Sequence, residues 1–345
     1  MAEQKRIRSW LHVPCNYEPG AKNTITDVSG VKIGQYTIHD NDIHTGITLI
    51  QPHDSNAYQH PVPCAVYTGN GFGKLTGSLQ LEELGILESM IGLTNTLSVP
   101  TLSHGLIEYY LESDSEISSI NVLVGETNDS FLNDIGKLAI KPAHVKEAIK
   151  DLSGEVKEGS VGAGAGTRCF GYKGGIGTAS RRVAIQFPEG ERTFILGALV
   201  QSNFGGNLNI YGQPVPNGVP IMPQDGSCMI VVATDAPLDA RQLKRIAKRG
   251  VVGMAQTGSF LANGSGDFCI AFSNYPDNIS PRDSEALKRL TILPDGLINP
   301  LFEAACEAVR EAIYNSLTMA ESVTGRDGRR LETIDMSAVL LGNSF

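Results

Sequence analysis

The stretch Asp225-Gly226-Ser227-Cys228-Met229 runs directly into the apolar segment Met229 to Ala233. So short and so apolar a run, rich in Val, reads as a strand buried on both faces, and such a strand needs covering layers on both sides of its sheet. A layered α/β or α+β protein follows. A Gly-Ser step at the mouth of a buried strand is also where a self-cutting hydrolase would hide its nucleophile. Breaking the Gly226–Ser227 bond would put a hydroxyl and an α-amine on one residue, so that nucleophile and base arrive together.

Working outward, the segment Asn203 to Asp225 holds Gly and Pro at densities that regular elements do not tolerate, and is expected as a loop that is mobile or wanders over the surface. The other Gly-rich stretch, Gly159 to Gly177, invites comparison with phosphate-cradling loops, but neither GxGxxG nor GxxxxGK[ST] threads through it. Its glycines point to close backbone approach and tight turns instead. Short Val-, Ile- and aromatic-rich runs predict strands over 31–38, 46–50, 64–68, 121–124, 183–187, 194–200, 229–234 and 268–272. Helices are predicted over 79–91, 103–111, 144–152, 239–251 and 300–322. In the last, Leu301, Ala305, Val309, Ala312, Ile313 and Leu317 form one apolar stripe with Glu303, Glu307, Arg310 and Glu311 largely opposite.

Composition bounds the function. The 345-residue chain is 41% hydrophobic and 19% charged, with no low-charge apolar run approaching the roughly 20 residues of a membrane span. The first residues lack the apolar core of a secretory signal, so a cytoplasmic protein is expected. A net charge of −9 without a dense basic stripe argues against nucleic acid as a partner. The basic run Arg241, Lys244, Arg245, Lys248, Arg249 has the spacing of one solvated helix face. Six scattered cysteines suit buried thiols better than a disulfide framework, and the seven histidines never cluster at ligand spacing. Neither a metal nor another cofactor is called for.

Several segments in fixed order carry a resemblance. They are Thr26-Asp27-Val28-Ser29-Gly30-Val31, Gly69-Asn70-Gly71 with Thr76-Gly77, Leu93-Thr94-Asn95-Thr96, Lys173 through Arg181, Gly226-Ser227, Ala233 through Leu238, and Asn263-Gly264-Ser265-Gly266-Asp267. In this order the chain resembles the DmpA and β-aminopeptidase family over nearly its whole length. The resemblance implies a four-layer αββα sandwich similar to that of N-terminal-nucleophile hydrolases, with its own connectivity. It also implies a single hydrolase domain, 1–345, that matures by cutting itself into segments 1–226 and 227–345 and assembles as a homotetramer of cleaved protomers.

Serine is a poor nucleophile at neutral pH, and the sequence offers Ser227 no obvious histidine partner; a free α-amine of reference pKa about 8 would serve as its base. Ser265 and Asp267 precede the strand 268–272 in a tight turn, and alternation puts them on one side. The matching family residues orient the new terminus and relay protons. Members of the family can carry Glu where Asp267, one methylene shorter, stands. Asn203 matches the family's oxyanion donor in the context Gln201-Ser202-Asn203-Phe204-Gly205. Glu126 is the candidate carboxylate for the substrate's free amino group, with Asn128 beside it, where relatives place a Tyr. Cys228, next to the nucleophile, should point to the opposite face and play no chemical part. The expected activity is hydrolysis of N-terminal residues, β-peptidyl or D-/L-α, from short peptides, amides or esters. The alternatives are an acyltransferase resembling ornithine acetyltransferase, which uses Thr at the cut, and an uncut small-molecule binding protein.

Overall fold

The computed structural model describes residues 4–220, 226–279, 281, 282, 284 and 286–342. Two sheets stack face to face. The first contains β1 (Lys32–Asp40), β2 (Ile43–Gln51), β4 (Leu75–Thr76), β6 (Ile91–Asn95) and β7 (Leu123–Thr127), in the order β1-β2-β6-β7-β4. The second contains β3 (Val62–Gly71), β5 (Ile86–Leu87), β8 (Gly175–Phe187), β9 (Gly190–Asn203), β10 (Gly226–Thr234) and β11 (Ser265–Ser273), in the order β8-β9-β10-β11-β3-β5. Besides the short α1 (Ser78–Leu84) and α6 (Met336–Gly342), four helices matter for the layers: α2 (Val99–Ser113), α3 (Pro142–Lys150), α4 (Ala240–Ala255) and α5 (Asn299–Thr318).

Each sheet has one parallel pair, β6 with β7 and β10 with β11, and each pair is joined by a helix, α2 and α4 respectively, as parallel strands require. The other pairings are antiparallel. Three cores alternate with these layers. One lies between α4, α5 and the second sheet, one between the two sheets, and one between the first sheet and α2 with α3. The architecture is therefore the expected αββα sandwich. Strict alternation along β10 divides the apolar run: Ile230 and Val232 enter the helix-side core, Met229, Val231 and Ala233 the core between the sheets.

Four readings of the sequence change. The helix expected over 79–91 stops at Leu84, because Gly85 adopts a left-handed cap (φ 67°), and the residues beyond it become β5 and β6. The expected loop after Asn203 is anchored in its first half, while Gly212–Pro214, Pro216, Asn217, Val219 and Pro220 stay exposed as a surface segment would. Phe204, Leu208, Ile210 and Val215 enter the helix-side core, and Tyr211-Gly212, both at positive φ, close a two-residue hairpin between Asn209–Ile210 and Gln213–Pro214. Its last residues, 221–225, lie outside the described residues. Third, Ser265 and Asp267 belong to β11 itself rather than to a preceding turn. Finally, α5 buries its apolar stripe as expected, but Glu307 and Glu311 are buried too, because Arg181 on β8 pairs with both, at 2.9 and 2.7 Å.

The basic run lies on α4, where Arg241 forms a two-bond pair with Asp295 (2.9 and 3.0 Å) and Arg249 stacks on Phe302. The Gly159–Gly177 stretch serves packing: a side chain at Gly177 would reach to within 1.9 Å of the Ala312 carbonyl on α5. Lys173 is fully buried, and its Nζ donates to the carbonyls of Gly164 (2.8 Å) and Gly174 (2.9 Å) rather than facing a ligand.

Candidate active site

Ser227 is the second residue of β10, at 3% exposure. Its cross-strand neighbour on β9 is Asn203, whose Nδ2 lies 3.3 Å from Ser227 Oγ. The amide is oriented by its surroundings. Asn203 Oδ1 accepts from the Arg168 backbone N–H (3.0 Å), while Nδ2 also donates to the Asn128 carbonyl (3.1 Å). The donor end therefore faces the nucleophile. Asn128 lines the same cavity, its carbonyl holding Asn203 and its side-chain Oδ1 accepting from Ser130 N in a local turn.

On the other side of β10 lies the parallel strand β11, with Gly226 opposite Ser265, Ser227 opposite Gly266 and Cys228 opposite Asp267. Register and alternation place the side chains of Ser265 and Asp267 on the Cys228 face, opposite the Ser227 side chain. Ser265 Oγ–H donates to Asp267 Oδ1 at 2.7 Å. This dyad sits beside the Gly226–Ser227 junction: a Cβ on Gly226 would stand 3.1 Å from Ser265 Oγ and 3.2 Å from the Phe204 Cα. Glycine here allows close approach. Burial raises Asp267 to about 6, against the opposing pull of the Ser265 hydroxyl, and its Oδ2 has no hydrogen-bond partner. Asn70, before the β3 turn, donates to the carbonyls of Ala262, Asn263 and Ser265 and so fixes the start of β11.

Ser227 opens into a cavity of about 550 Å³. Glu126, at the end of β7 and 4% exposed, forms part of its lining. Its Oε1 accepts from Lys74 N (3.0 Å) and lies 3.8 Å from Lys74 Nζ, and its Oε2 accepts from Thr96 Oγ1. The carboxylate is held from the protein side and already draws an ammonium from the cavity side. No histidine lines the cavity among the described residues. Cys228 points into the helix-side core, where burial pushes its thiol well above the ordinary range, as inert as expected. The structure gathers Ser227, Asn203, Glu126 and Asn128 on the cavity and sets Ser265 and Asp267 across β10 from it, while Phe72, Lys74, Thr96, Phe131, Arg168 and Arg329 complete the walls without having been singled out in the sequence as site residues.

The arrangement supplies a hydroxyl with an amide donor on one face of a strand and a hydroxyl–carboxyl pair at the junction on the other. That is the equipment of acyl transfer. Known proteins agree. The profile of Peptidase family S58 matches residues 23–331. The chain is 36% identical to a beta-peptidyl aminopeptidase of Sphingosinicella microcystinivorans, over 98% of this chain and 92% of that one. A crystal structure from Pyrococcus horikoshii OT3 superposes with a TM-score of 0.91 at 40% identity, covering 98% of both chains. The L-aminopeptidase D-Ala-esterase/amidase of Ochrobactrum anthropi, described as a prototype for the serine aminopeptidases and a variant of the Ntn hydrolase fold, gives 0.89 at 32% identity and likewise 98% of both. The chain therefore belongs to Peptidase family S58 and is a serine aminopeptidase of that family.

Proposed function

We propose that the protein cuts its own Gly226–Ser227 bond and then uses Ser227 as an N-terminal nucleophile on short peptides, amides or esters with a free amino group. The observation that carries this reading is the division of labour across β10: the Ser227 hydroxyl meets Asn203, while the Ser265–Asp267 pair flanks the bond to be cut. In maturation, Ser227 Oγ attacks the Gly226 carbonyl, the acyl group passes from nitrogen to oxygen, and water hydrolyses the ester. This leaves a carboxylate on Gly226 and a free amine on Ser227.

In turnover, Glu126 holds the substrate ammonium and Ser227 Oγ attacks the carbonyl. The α-amine takes the hydroxyl proton and returns it to the leaving amine. Asn203 Nδ2 donates to the developing oxyanion, a contact of a kind worth about 3 kcal/mol. Water then releases the acyl group by the reverse route. Ser265 and Asp267 orient the amine. The relatives' names, beta-peptidyl aminopeptidase and L-aminopeptidase, support a substrate with β-, L- or D-amino-terminal residues.

Denaturing electrophoresis of purified protein tests the cut. Fragments of roughly 24 and 13 kDa from the 36.9 kDa chain, the smaller beginning at Ser227, are expected. One uncut band with full hydrolase activity overturns the mechanism. Acyl transfer to an amine in preference to water would favour the acyltransferase reading, against which Ser rather than Thr at 227 counts. No helix among the described residues is long and apolar enough to cross a membrane. A cytoplasmic location and a tetramer of cut protomers complete the proposal, checked by fractionation and by light scattering.

A further inference from the structure

Two buried ionisable groups, Lys173 and Asp129, take no part in the mechanism above; neither is more than 1% exposed. Their charges attract each other, yet burial pulls the Lys173 ammonium down and pushes the Asp129 carboxyl up, each to about 7. Asp129 Oδ1 accepts from Asn133 Nδ2 at 2.9 Å, while its Oδ2 has no hydrogen-bond partner among the described residues. In many buried pairs, removing two charges from water costs more than their attraction returns, and apolar residues of the same volume often leave a fold as stable or more so. The pair therefore calls for a reason other than stability. Its location supplies one, directly behind the amide of Asn203. Two main-chain groups hold that amide, the Arg168 N–H on its oxygen and the Asn128 carbonyl on its nitrogen. Asp129 follows Asn128 in the chain, and Lys173 is the cross-strand partner of Arg168 in the small hairpin of Arg168–Cys169 with Tyr172–Lys173. Lys173 also closes the loop that presents Arg168, because its Nζ donates to the carbonyls of Gly164 and Gly174 on either side of it, at 2.8 and 2.9 Å. The tip of the hairpin is pinned beside Asn203 by the Phe170 N–H, which donates to the Phe204 carbonyl at 2.8 Å. Cation and anion thus sit one on each jaw of the clamp and draw the jaws together.

We propose that Lys173 and Asp129 are positioning residues, which hold the Arg168 and Asn128 main-chain groups in place and through them fix Asn203 Nδ2 on the developing oxyanion. The inference rests on the reading of Asn203 as the oxyanion donor given above. Neither side chain lines the cavity, so the pair acts on the reaction through Asn203 alone. A donor displaced by a fraction of an ångström still fills its space in the fold but no longer meets the charge that forms in the transition state.

The test replaces the pair by neutral side chains of similar size, Lys173→Met together with Asp129→Asn, and measures turnover of an aminoacyl p-nitroanilide per Ser227 titrated with an acylating inhibitor. The double variant should melt no lower than the wild type, yet lose about tenfold in kcat with KM changed less than about twofold. In an Asn203→Ala background the same two changes should cost less than about twofold more, because the group they position is gone. A crystal structure of the double variant should show the Asn203 amide turned or shifted against unmoved sheets. Full kcat in the double variant, a loss that falls on KM, a loss repeated whole in the Asn203→Ala background, or a far lower melting temperature would each overturn the positioning role. Should the variants stay uncut, the crystal structure decides: a displaced amide supports the proposal and an unmoved one overturns it. Full kcat in Asn203→Ala alone would instead overturn the oxyanion reading and this inference with it.

Discussion

The cavity has two unlike walls. The inner wall is made of strand ends, the start of β10 with the ends of β9 and β7, backed across β10 by the Ser265–Asp267 pair, and these side chains are at most 5% exposed and bonded to one another or to main chain. The outer wall is made of connections. Phe72 and Lys74 come from the β3–β4 turn, Phe131 from the segment after β7, and Arg329 from the hairpin between Val323–Thr324 and Arg330–Leu331. There the side chains are charged or aromatic and half-buried to exposed. Groups that must hold a reacting atom to a fraction of an ångström sit on rigid strands, and groups that choose among ligands sit on segments that can vary without disturbing the sheets.

Substitutions can sharpen or break that contrast. Ser227→Ala should leave a single uncut chain and reduce turnover by at least about a thousandfold, read by electrophoresis and a p-nitroanilide assay. Asn203→Ala should lower kcat by roughly 10²- to 10³-fold while changing KM little if, as proposed, its amide donates to charge that develops only in the transition state. Glu126→Gln, at the boundary of the two walls, should act mainly on KM, raising it by about ten- to a hundredfold for substrates with a free amine.

Asp267→Asn combines a loss with a gain. Burial holds the folded-state carboxyl at about 6, above its usual value, so its contribution to stability is full below that usual value and is lost as pH rises through about 6. At pH 8 the Asn variant should therefore be the more stable protein, by an amount on the order of 1–3 kcal/mol in denaturant melts. It should also lack the rise in activity near pH 6 that is expected of the wild type as the carboxylate forms. Cys228→Ala should change turnover less than about twofold, since its thiol faces the other core. A large loss in that variant would mean that the helix-side core helps to set the reaction geometry.

The inner wall could be read from the sequence because its signals are local. A Gly-Ser step runs into an apolar strand, two polar residues stand two apart at the start of another, and an Asn ends a third. The outer wall could not, because Phe131, Arg168 and Arg329 are distant in the chain and only the fold gathers them at one cavity. Local context also misled. Leu79 to Ile91 has helical spacing, yet a left-handed glycine at 85 ends the helix and β6 is formed by the residues beyond. Glu307 and Glu311 look like a solvated face until Arg181, more than a hundred residues away in sequence, is placed beneath them. At Gly226 the sequence shows the step into the strand, and only the fold shows the crowding by Ser265 and Phe204 that favours glycine there.

The strand order β8-β9-β10-β11-β3-β5 bears on what a cut at Gly226 does to the protein's later life. Strands from before the break flank the two from after it on both sides, so hydrogen bonds along both outer edges of the β10–β11 pair knit the pieces together. Such a protein would lose nothing of its shape when cut, but it would lose the tether that brought β9 and β10 together in the first place. Heated or denatured once, the two pieces would have to meet again as separate molecules. The mature enzyme would then persist by the slowness of its unfolding, with no easy road back.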